Sequence, residues 1–137
     1  MAAAAMKRPL DFHLWISGDL QHHWNACEAL ALRAAIGIGA EVFIAGEAVR
    51  WCRKSIPATE LSSADQEWLA EWKRLKILPE QLIARASDLG KVHITVCNLS
   101  LEIAGIKRHE LAGWVDDIAG AASFWQRLPL DTAPMVF

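Results

Sequence analysis

Strand-like and helix-like segments alternate along this chain of 137 residues, and the alternation limits the folds open to it. The run from Lys91 to Cys97 is rich in β-branched residues, and the apolar runs Phe12–Ser17 and Ala40–Ala45 resemble further strands. From Leu20 to Ile38, apolar residues recur at helical spacing along one face. Alternating strands and helices form parallel sheets covered by helices, with right-handed crossovers. The sequence therefore predicts a three-layer α/β/α fold with a mostly parallel sheet of about four to five strands.

The whole chain, residues 1–137, has the length of a single domain. Residues 55–90 exceed what one crossover needs, and we interpret them as a helical arm or hairpin insertion. A capping box at Ser63–Gln66 opens that region. A short strand is predicted near Val115–Asp117, ahead of a last helix. The tail over residues 129–137 shows no periodicity, so we expect it to be irregular.

Composition and charge exclude two classes of protein. The formal net charge is −2 and the basic residues are scattered, whereas binding to nucleic acid requires a concentrated basic face. Apolar residues make up 53% of the chain. No run approaches the roughly 20 consecutive apolar residues that span a bilayer. We therefore expect neither a nucleic-acid partner nor membrane insertion.

The cysteine pattern argues against a disulfide framework and against a metal centre. Three cysteines are too few and odd in number for paired bridges, and no convincing signal peptide precedes them. Both observations favour a reducing cytoplasm. The spacing of Cys27, Cys52 and Cys97 matches no zinc ribbon or finger. Gly37 and Gly39 follow the first predicted helix and precede a strand. The glycines of a dinucleotide-binding site follow a strand and open a helix, so this pair is not such a site. We expect no metal and no cofactor.

Seven Trp and no Tyr are an unusual aromatic composition. Aromatic residues are enriched in cores and at interfaces, and a small domain has limited room to bury seven indoles. We therefore expect a homo-oligomer. Trp68 and Trp72 of the arm are the candidate oligomer or partner surface, although these rings would equally suit the core.

Cys97 is the leading candidate for chemistry. It ends a predicted strand and is followed by Asn98, Ser100 and a helix-like stretch. A thiol at such a position feels the N–H groups and the positive end of the helix, which favour the nucleophilic thiolate. Ligands of open α/β sheets also bind at this edge. The alternative is a small apolar residue that caps a buried strand.

The other two cysteines are weaker candidates. Cys27 lies on the apolar stripe of the first helix, where a packed thiol is the better interpretation. Cys52 lies beside Arg50, Arg53 and Lys54, whose charges would lower its pKa if the thiol is accessible. A buried, inert Cys52 is the alternative.

Two histidines follow the first predicted strand. His22 and His23 would lie at the same sheet edge as Cys97, where a histidine can donate a proton or stabilise a thiolate. Because they are adjacent, they point in different directions on a helix and are poorly placed to chelate one metal ion. A solvated pair at the start of a helix is the alternative.

The region from Val96 to Trp125 contains a series of short segments whose order and spacing are distinctive. They are Val96–Ser100, Gly105–Arg108, Glu110–Leu111, Val115 and Gly120–Phe124. This series resembles the DsrE/DsrF-like family of sulfur-relay proteins. His109 stands where the family branch carries the first Glu of its Gly-Ile-Lys-Arg-Glu-Glu-Leu segment. The opening Ser17–Leu20 is also similar, while residues 55–90 add no support.

The resemblance implies a DsrEFH-like α/β/α fold, an oligomer, and a sulfur carrier or sulfurtransferase. Cys97 would hold sulfane sulfur as a persulfide, received from and passed to rhodanese-like or TusA-like proteins. Asn98 and Ser100 would bind the outer sulfur through backbone amides. His22 or His23 would adjust the reactivity of the Cys97 thiolate. Whether Cys27 or Cys52 takes part stays open. A non-catalytic assembly subunit with an inert Cys97 and a thiol-redox sensor are the alternatives.

Overall fold

The structure, a computed structural model, describes residues 9–137. Its strands are β1 (Leu10–Trp15), β2 (Gly39–Ile44), β3 (Val92–Cys97), β4 (Asp117–Ala119) and β5 (Met135–Val136). Its α-helices are α1 (Leu20–Ala35), α2 (Ser63–Leu75), α3 (Pro79–Leu89), α4 (Asn98–Ala104) and α5 (Ala121–Arg127). The five strands form one sheet in the order β4-β3-β2-β1-β5, and every strand pair is parallel.

The direction of the chain across the sheet decides which helix covers which face. From β1 to β4 each strand is added on the same side of the one before. Right-handed crossovers then place α1 and α3 on one face, which we call the α1 face. The chain returns to β5 through α5, which covers the other face, called the α5 face. The predicted three-layer α/β/α fold is confirmed.

Alternation along the strands gives each face its own core. On the α1 face, Val42, Ile94 and Val96 pack against buried residues of α1 and α3. On the α5 face, Phe12, Phe43 and Cys97 pack beneath Phe124 of α5. Successive strand residues point to opposite faces. The Cys97 side chain therefore lies on the α5 face.

Helix α1 has the apolar stripe that its sequence predicts, and polar side chains bind near both of its ends. The Asp19 side chain accepts a hydrogen bond from the Gln21 N–H at 3.3 Å and caps the first turn. Near the other end, Arg33 donates two hydrogen bonds to Asp11 of β1, at 2.7 and 2.9 Å. The two contacts align α1 with the first strand.

The arm predicted over residues 55–90 consists of α2 and α3, which have different roles. Helix α3 is the crossover helix that leads into β3 and packs against α1. Helix α2 packs through Trp72 against Leu20 and Trp51. The capping box lies one residue earlier than predicted: Ser62 Oγ accepts from the Asp65 N–H at 3.0 Å, and Asp65 accepts from the Ser62 N–H at 3.1 Å.

Two expectations for the C-terminal part are wrong. The short strand begins at Asp117 and not at Val115, because Asp116 instead binds the backbone of Ile94 through both its N–H and its carboxylate. The tail over 129–137 is not wholly irregular. It contains β5, paired with β1, and the Phe137 carbonyl accepts hydrogen bonds from the N–H groups of Ile16 and Ser17. A two-residue strand is too short for a periodic pattern, so only its partner strand reveals it.

A single copy of the chain already buries several of its Trp side chains. Trp15, Trp51 and Trp72 are buried within it. The ring of Trp72 stacks between Trp24 and Trp68, with ring centroids 5.4 and 5.7 Å away. Trp72 therefore belongs to the core, and of the predicted pair only Trp68 is exposed. Self-association stays a prediction.

Candidate functional site

Cys97 lies at the carboxyl end of β3 and is the N-cap residue of α4. Its strand neighbours are β2 on one side and β4 on the other, where Ala119 is its direct partner. The residue is 8% exposed, whereas Cys27 and Cys52 are 0% exposed. Phe12, Phe43 and Phe124 form the apolar cluster around it. All three cysteines are thus buried, and Cys97 is the one that keeps a small residual exposure.

Asn98 and Ser100 occupy the first turn of α4, directly after the thiol. The Asn98 side chain accepts a hydrogen bond from the Leu99 N–H at 2.9 Å. Ser100 Oγ accepts from the Gly46 N–H at 2.9 Å, across the turn that follows β2. Gly46 has a φ of +60°, a conformation that L side chains rarely adopt. The structure therefore brings Asn98 and Ser100 together with Cys97, and both side chains already have polar partners.

Neither predicted histidine makes a hydrogen bond to Cys97 in the part of the chain that the structure describes. His23 is buried on the α1 face, where its ring stacks on Trp51 and meets Trp15 edge-on. Burial lowers the pKa of His23 to about 4, so this imidazole is neutral at physiological pH. His22 is exposed at the start of α1 and shares a hydrogen bond with Ser17 Oγ at 2.8 Å. The sheet separates His23 from Cys97, because α1 covers the opposite face.

Cys27 and Cys52 are both sealed in the core of the α1 face. Burial raises the pKa of each thiol well above its ordinary value. For Cys52 this is opposite to the shift expected from its basic neighbours. The two arginines are engaged elsewhere: Arg53 binds Glu60 through two hydrogen bonds, and the Arg50 guanidinium lies 4.5 Å from the Trp51 ring centroid. The buried, inert interpretation of Cys52 fits the structure.

A charged network that the sequence analysis missed lies on the same face as Cys97. His93 of β3 binds Glu41 of β2 through Nδ1 at 2.9 Å and Asp117 of β4 through Nε2 at 2.6 Å. Arg127 of α5 also binds Glu41. Partial burial alone would lower the pKa of His93, but the two carboxylates outweigh it and raise that pKa. Counting back in steps of two from Cys97 would have placed His93 on this face.

Thr95 lies between His93 and Cys97 on that face. It is 1% exposed, and its Oγ1 has no hydrogen-bond partner among the described residues. Buried hydroxyl groups normally find a partner. A β-branched residue in a strand is ordinary in sequence, so only the three-dimensional arrangement marks this side chain.

A separate cavity of about 500 Å³ lies near the start of α1. Its lining includes His23, Trp51, Lys54, Glu80 and Trp114, and Cys97 is not among the lining residues. Because Cys97 does not line it, this cavity is separate from the surroundings of the Cys97 thiol.

Residues 9–137 were also searched for metal-binding clusters and for membrane-spanning helices. Over that range, the structure has no group of three or more His, Cys, Asp or Glu side chains arranged to hold a metal ion. None of the helices in that range is both long and apolar enough to cross a membrane. The segment in which a secretory leader would begin, residues 1–8, lies outside the described part.

Comparison with known proteins supports the fold and leaves the function open. No family model matches the chain, and no curated protein matches it. A solved structure similar to this one is a protein of unknown function from Methanobacterium thermoautotrophicum. It superimposes with a TM-score of 0.60 at 15% sequence identity, over 96% of this chain and 100% of the other. At that identity the similarity concerns the α/β fold alone.

Proposed function

We propose that this protein is a sulfur carrier or sulfurtransferase in which Cys97 holds sulfane sulfur as a persulfide. The observation that carries the proposal is the contrast among its three thiols. Cys97 lies at the carboxyl edge of a parallel sheet, where α/β proteins bind ligands, and it is 8% exposed, whereas Cys27 and Cys52 are 0% exposed. Cys27 and Cys52 are sealed, and burial disfavours their thiolates. The resemblance of Val96–Trp125 to DsrE/DsrF-like proteins points to the same residue.

The reaction needs little beyond an accessible thiolate. The Cys97 thiolate attacks the outer sulfur of a donor persulfide, and a new bond forms between Cys97 Sγ and that sulfur. The donor's own sulfur–sulfur bond breaks, and the donor leaves as a thiolate. No net oxidation occurs, and the proton of the persulfide stays on the transferred sulfur or is lost to water. The reverse sequence, with an acceptor thiolate, discharges Cys97.

Donor and acceptor are proposed to be rhodanese-like or TusA-like proteins in the cytoplasm. Exposed apolar side chains on the helix that Cys97 caps support docking of such a protein. Leu99 and Ile103 of α4 are 59% and 79% exposed, and they are one helical turn apart on the helix that Cys97 caps. Trp68 of α2 is a second exposed aromatic residue. Assembly into a homo-oligomer would cover such surfaces.

Two rival functions remain in view. Shielding of Cys97 by three phenylalanines favours the assembly-subunit alternative, in which the thiol never reacts. The redox-sensor alternative needs a resolving cysteine within disulfide reach. Cys27 and Cys52 pack in the core of the α1 face, whereas Cys97 faces α5, which counts against a bridge within one chain.

Intact-protein mass spectrometry tests the proposal. The reduced protein is incubated with thiosulfate and a rhodanese, alongside Cys97→Ser and the matched control Cys27→Ala. We expect one added sulfur on the wild type and on Cys27→Ala, and none on Cys97→Ser. An adduct that survives in Cys97→Ser would move the chemistry to another thiol. No adduct on any protein would favour the assembly subunit.

A further inference from the structure

We propose that the Thr95 hydroxyl is a binding group for the outer sulfur of a Cys97 persulfide. The inference rests on the proposed function and names a residue that selects the sulfur-loaded form over the free thiol. It follows from where Thr95 lies, from its lack of a partner, and from the reach of a persulfide.

The unpartnered hydroxyl is the first step. Thr95 Oγ1 is buried with no hydrogen-bond partner among residues 9–137. A buried hydroxyl without a partner destabilises a folded protein, because it has lost its hydrogen bonds to water. Val would fit the same space without that cost. The polar residue is therefore explained by a partner that is absent from the sulfur-free protein.

The position of the hydroxyl identifies that partner. Thr95 and Cys97 are two residues apart on β3, so their side chains lie on the same face. Along a strand this spacing is about 6.6 Å, and the hydroxyl makes no hydrogen bond to the thiol. A persulfide extends the side chain by a sulfur–sulfur bond of about 2 Å. The added atom shortens the gap and gives the hydroxyl an acceptor.

The surroundings explain why a donor is needed there. Phe43 is the strand partner of Thr95, its ring stacks with that of Phe124 at a centroid distance of 5.6 Å, and Thr95 itself is only 1% exposed. A sulfur anion in an apolar setting is costly unless a donor binds it. His93, two residues before Thr95, is already bound on both ring nitrogens by Glu41 and Asp117. Thr95 is thus the polar group on this strand face that has a hydrogen bond to offer.

The test compares how long the added sulfur survives. Wild type, Thr95→Val, Thr95→Ser and the exposed control Thr59→Val are loaded with thiosulfate and a rhodanese. Each is then diluted into a small-molecule thiol, and the sulfur-loaded fraction is followed by intact mass. We expect Thr95→Val to lose its sulfur about tenfold faster than wild type, as for one hydrogen bond to a charged group. Thr95→Ser and Thr59→Val should retain it as wild type does.

A thermal melt of the sulfur-free proteins excludes a merely structural role. Thr95→Val should melt at the same temperature as wild type or higher, because it removes an unpartnered polar group. Equal sulfur lifetimes in Thr95→Val and wild type would overturn the inference. A Thr95→Val protein that melts well below wild type, or fails to fold, would also overturn it, since the hydroxyl would then stabilise the free form. A wild type that never accepts sulfur would instead reject the proposed function itself.

Discussion

Cysteine and histidine residues have different surroundings on the two faces of the sheet. On the α1 face, Cys27 and Cys52 are sealed and His23 is a neutral ring in an aromatic stack. On the α5 face, Cys97 keeps a residual exposure of 8% and His93 is bound between two carboxylates. The difference lies in what covers each strand position. A long helix and a crossover helix cover the first face, and the seven-residue α5 covers the second.

This contrast shows why cysteine and histidine cannot be ranked by sequence neighbours alone. Cys52 has three basic residues beside it in sequence, yet burial raises the pKa of its thiol. His23 lies shortly after β1, and Cys97 is the last residue of β3, yet the two side chains pack under different helices. Access and desolvation outweigh sequence proximity at both positions.

The largest expected effect comes from opening the α5 face. Phe124 is 1% exposed and contacts the rings of Phe12 and Phe43. We expect Phe124→Ala to lower the free energy of unfolding by about 3–5 kcal/mol, measured by urea titration. Because the ring shields Cys97, the same variant should also accelerate alkylation of that thiol.

Trp125→Ala is the control for that variant, because Trp125 neighbours Phe124 but is half exposed. It should cost about 1 kcal/mol or less and leave the alkylation rate near that of wild type. Equal losses of stability in the two variants would mean that α5 does not cover the face as described.

The second effect is a loss of stability in acid from the α1 face. The pKa of His23 is lowered by burial from 6.5 to about 4 in the folded protein. A neutral, depressed histidine contributes stability that is complete above its unfolded pKa and is lost as the pH falls toward its folded pKa. We expect wild type to lose about 2 kcal/mol more than His23→Phe between about pH 7.5 and about pH 5.

Urea titrations at each pH measure this difference. Trp51→Phe alters the same aromatic stack without removing a titratable group, so it should keep the wild-type slope. His13 on β1, whose pKa is also lowered to about 4 by burial despite Asp11 nearby, should act in the same direction as His23. Parallel pH curves for wild type and His23→Phe would contradict a buried neutral ring.

The smallest expected effect is a pH dependence of stability from His93 on the α5 face, and its sign is opposite to that of His23. The pKa of His93 is raised in the folded protein, since its hydrogen bonds to Glu41 and Asp117 outweigh partial burial. Its contribution is therefore complete below the ordinary pKa of 6.5 and is lost as the pH rises through the higher folded value. The side chain is 35% exposed, so solvent screening limits the effect to about 1 kcal/mol or less.

His93→Gln tests this contribution. The stability of wild type relative to His93→Gln should be greatest in mild acid and should shrink on the alkaline side. Arg127→Gln, which removes another partner of Glu41 but no group that titrates in this range, is the matched control. A wild-type advantage that instead grew with pH would show that the ring is neutral when bound.

The main features of the fold could be predicted because they depend on local patterns. Helix α1 follows from its apolar spacing, and the crossover rule then places the crossover helices on one face of the sheet. The strand β5 could not be predicted, because a two-residue strand is stabilised by β1 and not by its own sequence. The capping box at Ser62 and Asp65 was placed one residue late, since Ser62 and Ser63 are equally good caps in sequence.

The candidate site was predictable only in part. Cys97, Asn98 and Ser100 lie within four consecutive residues, so their proximity needs no tertiary information. The positions of His22 and His23 relative to Cys97 depend on which face α1 covers, and sequence order alone does not decide that. His93 and Thr95 were missed because their significance comes from partners on β2 and β4, or from the lack of one.

Residue-resolved alkylation of the native protein tests the central claim most directly. Wild type is exposed to a neutral alkylating reagent, and the labelling of each cysteine is followed by peptide mass spectrometry. We predict that Cys97 is labelled in the native state at least about a hundredfold faster than Cys27 or Cys52, whose raised pKa values suppress the thiolate. All three should react once the protein is unfolded. A native Cys97 as slow as the two sealed thiols would contradict the account and leave the assembly subunit as the better description.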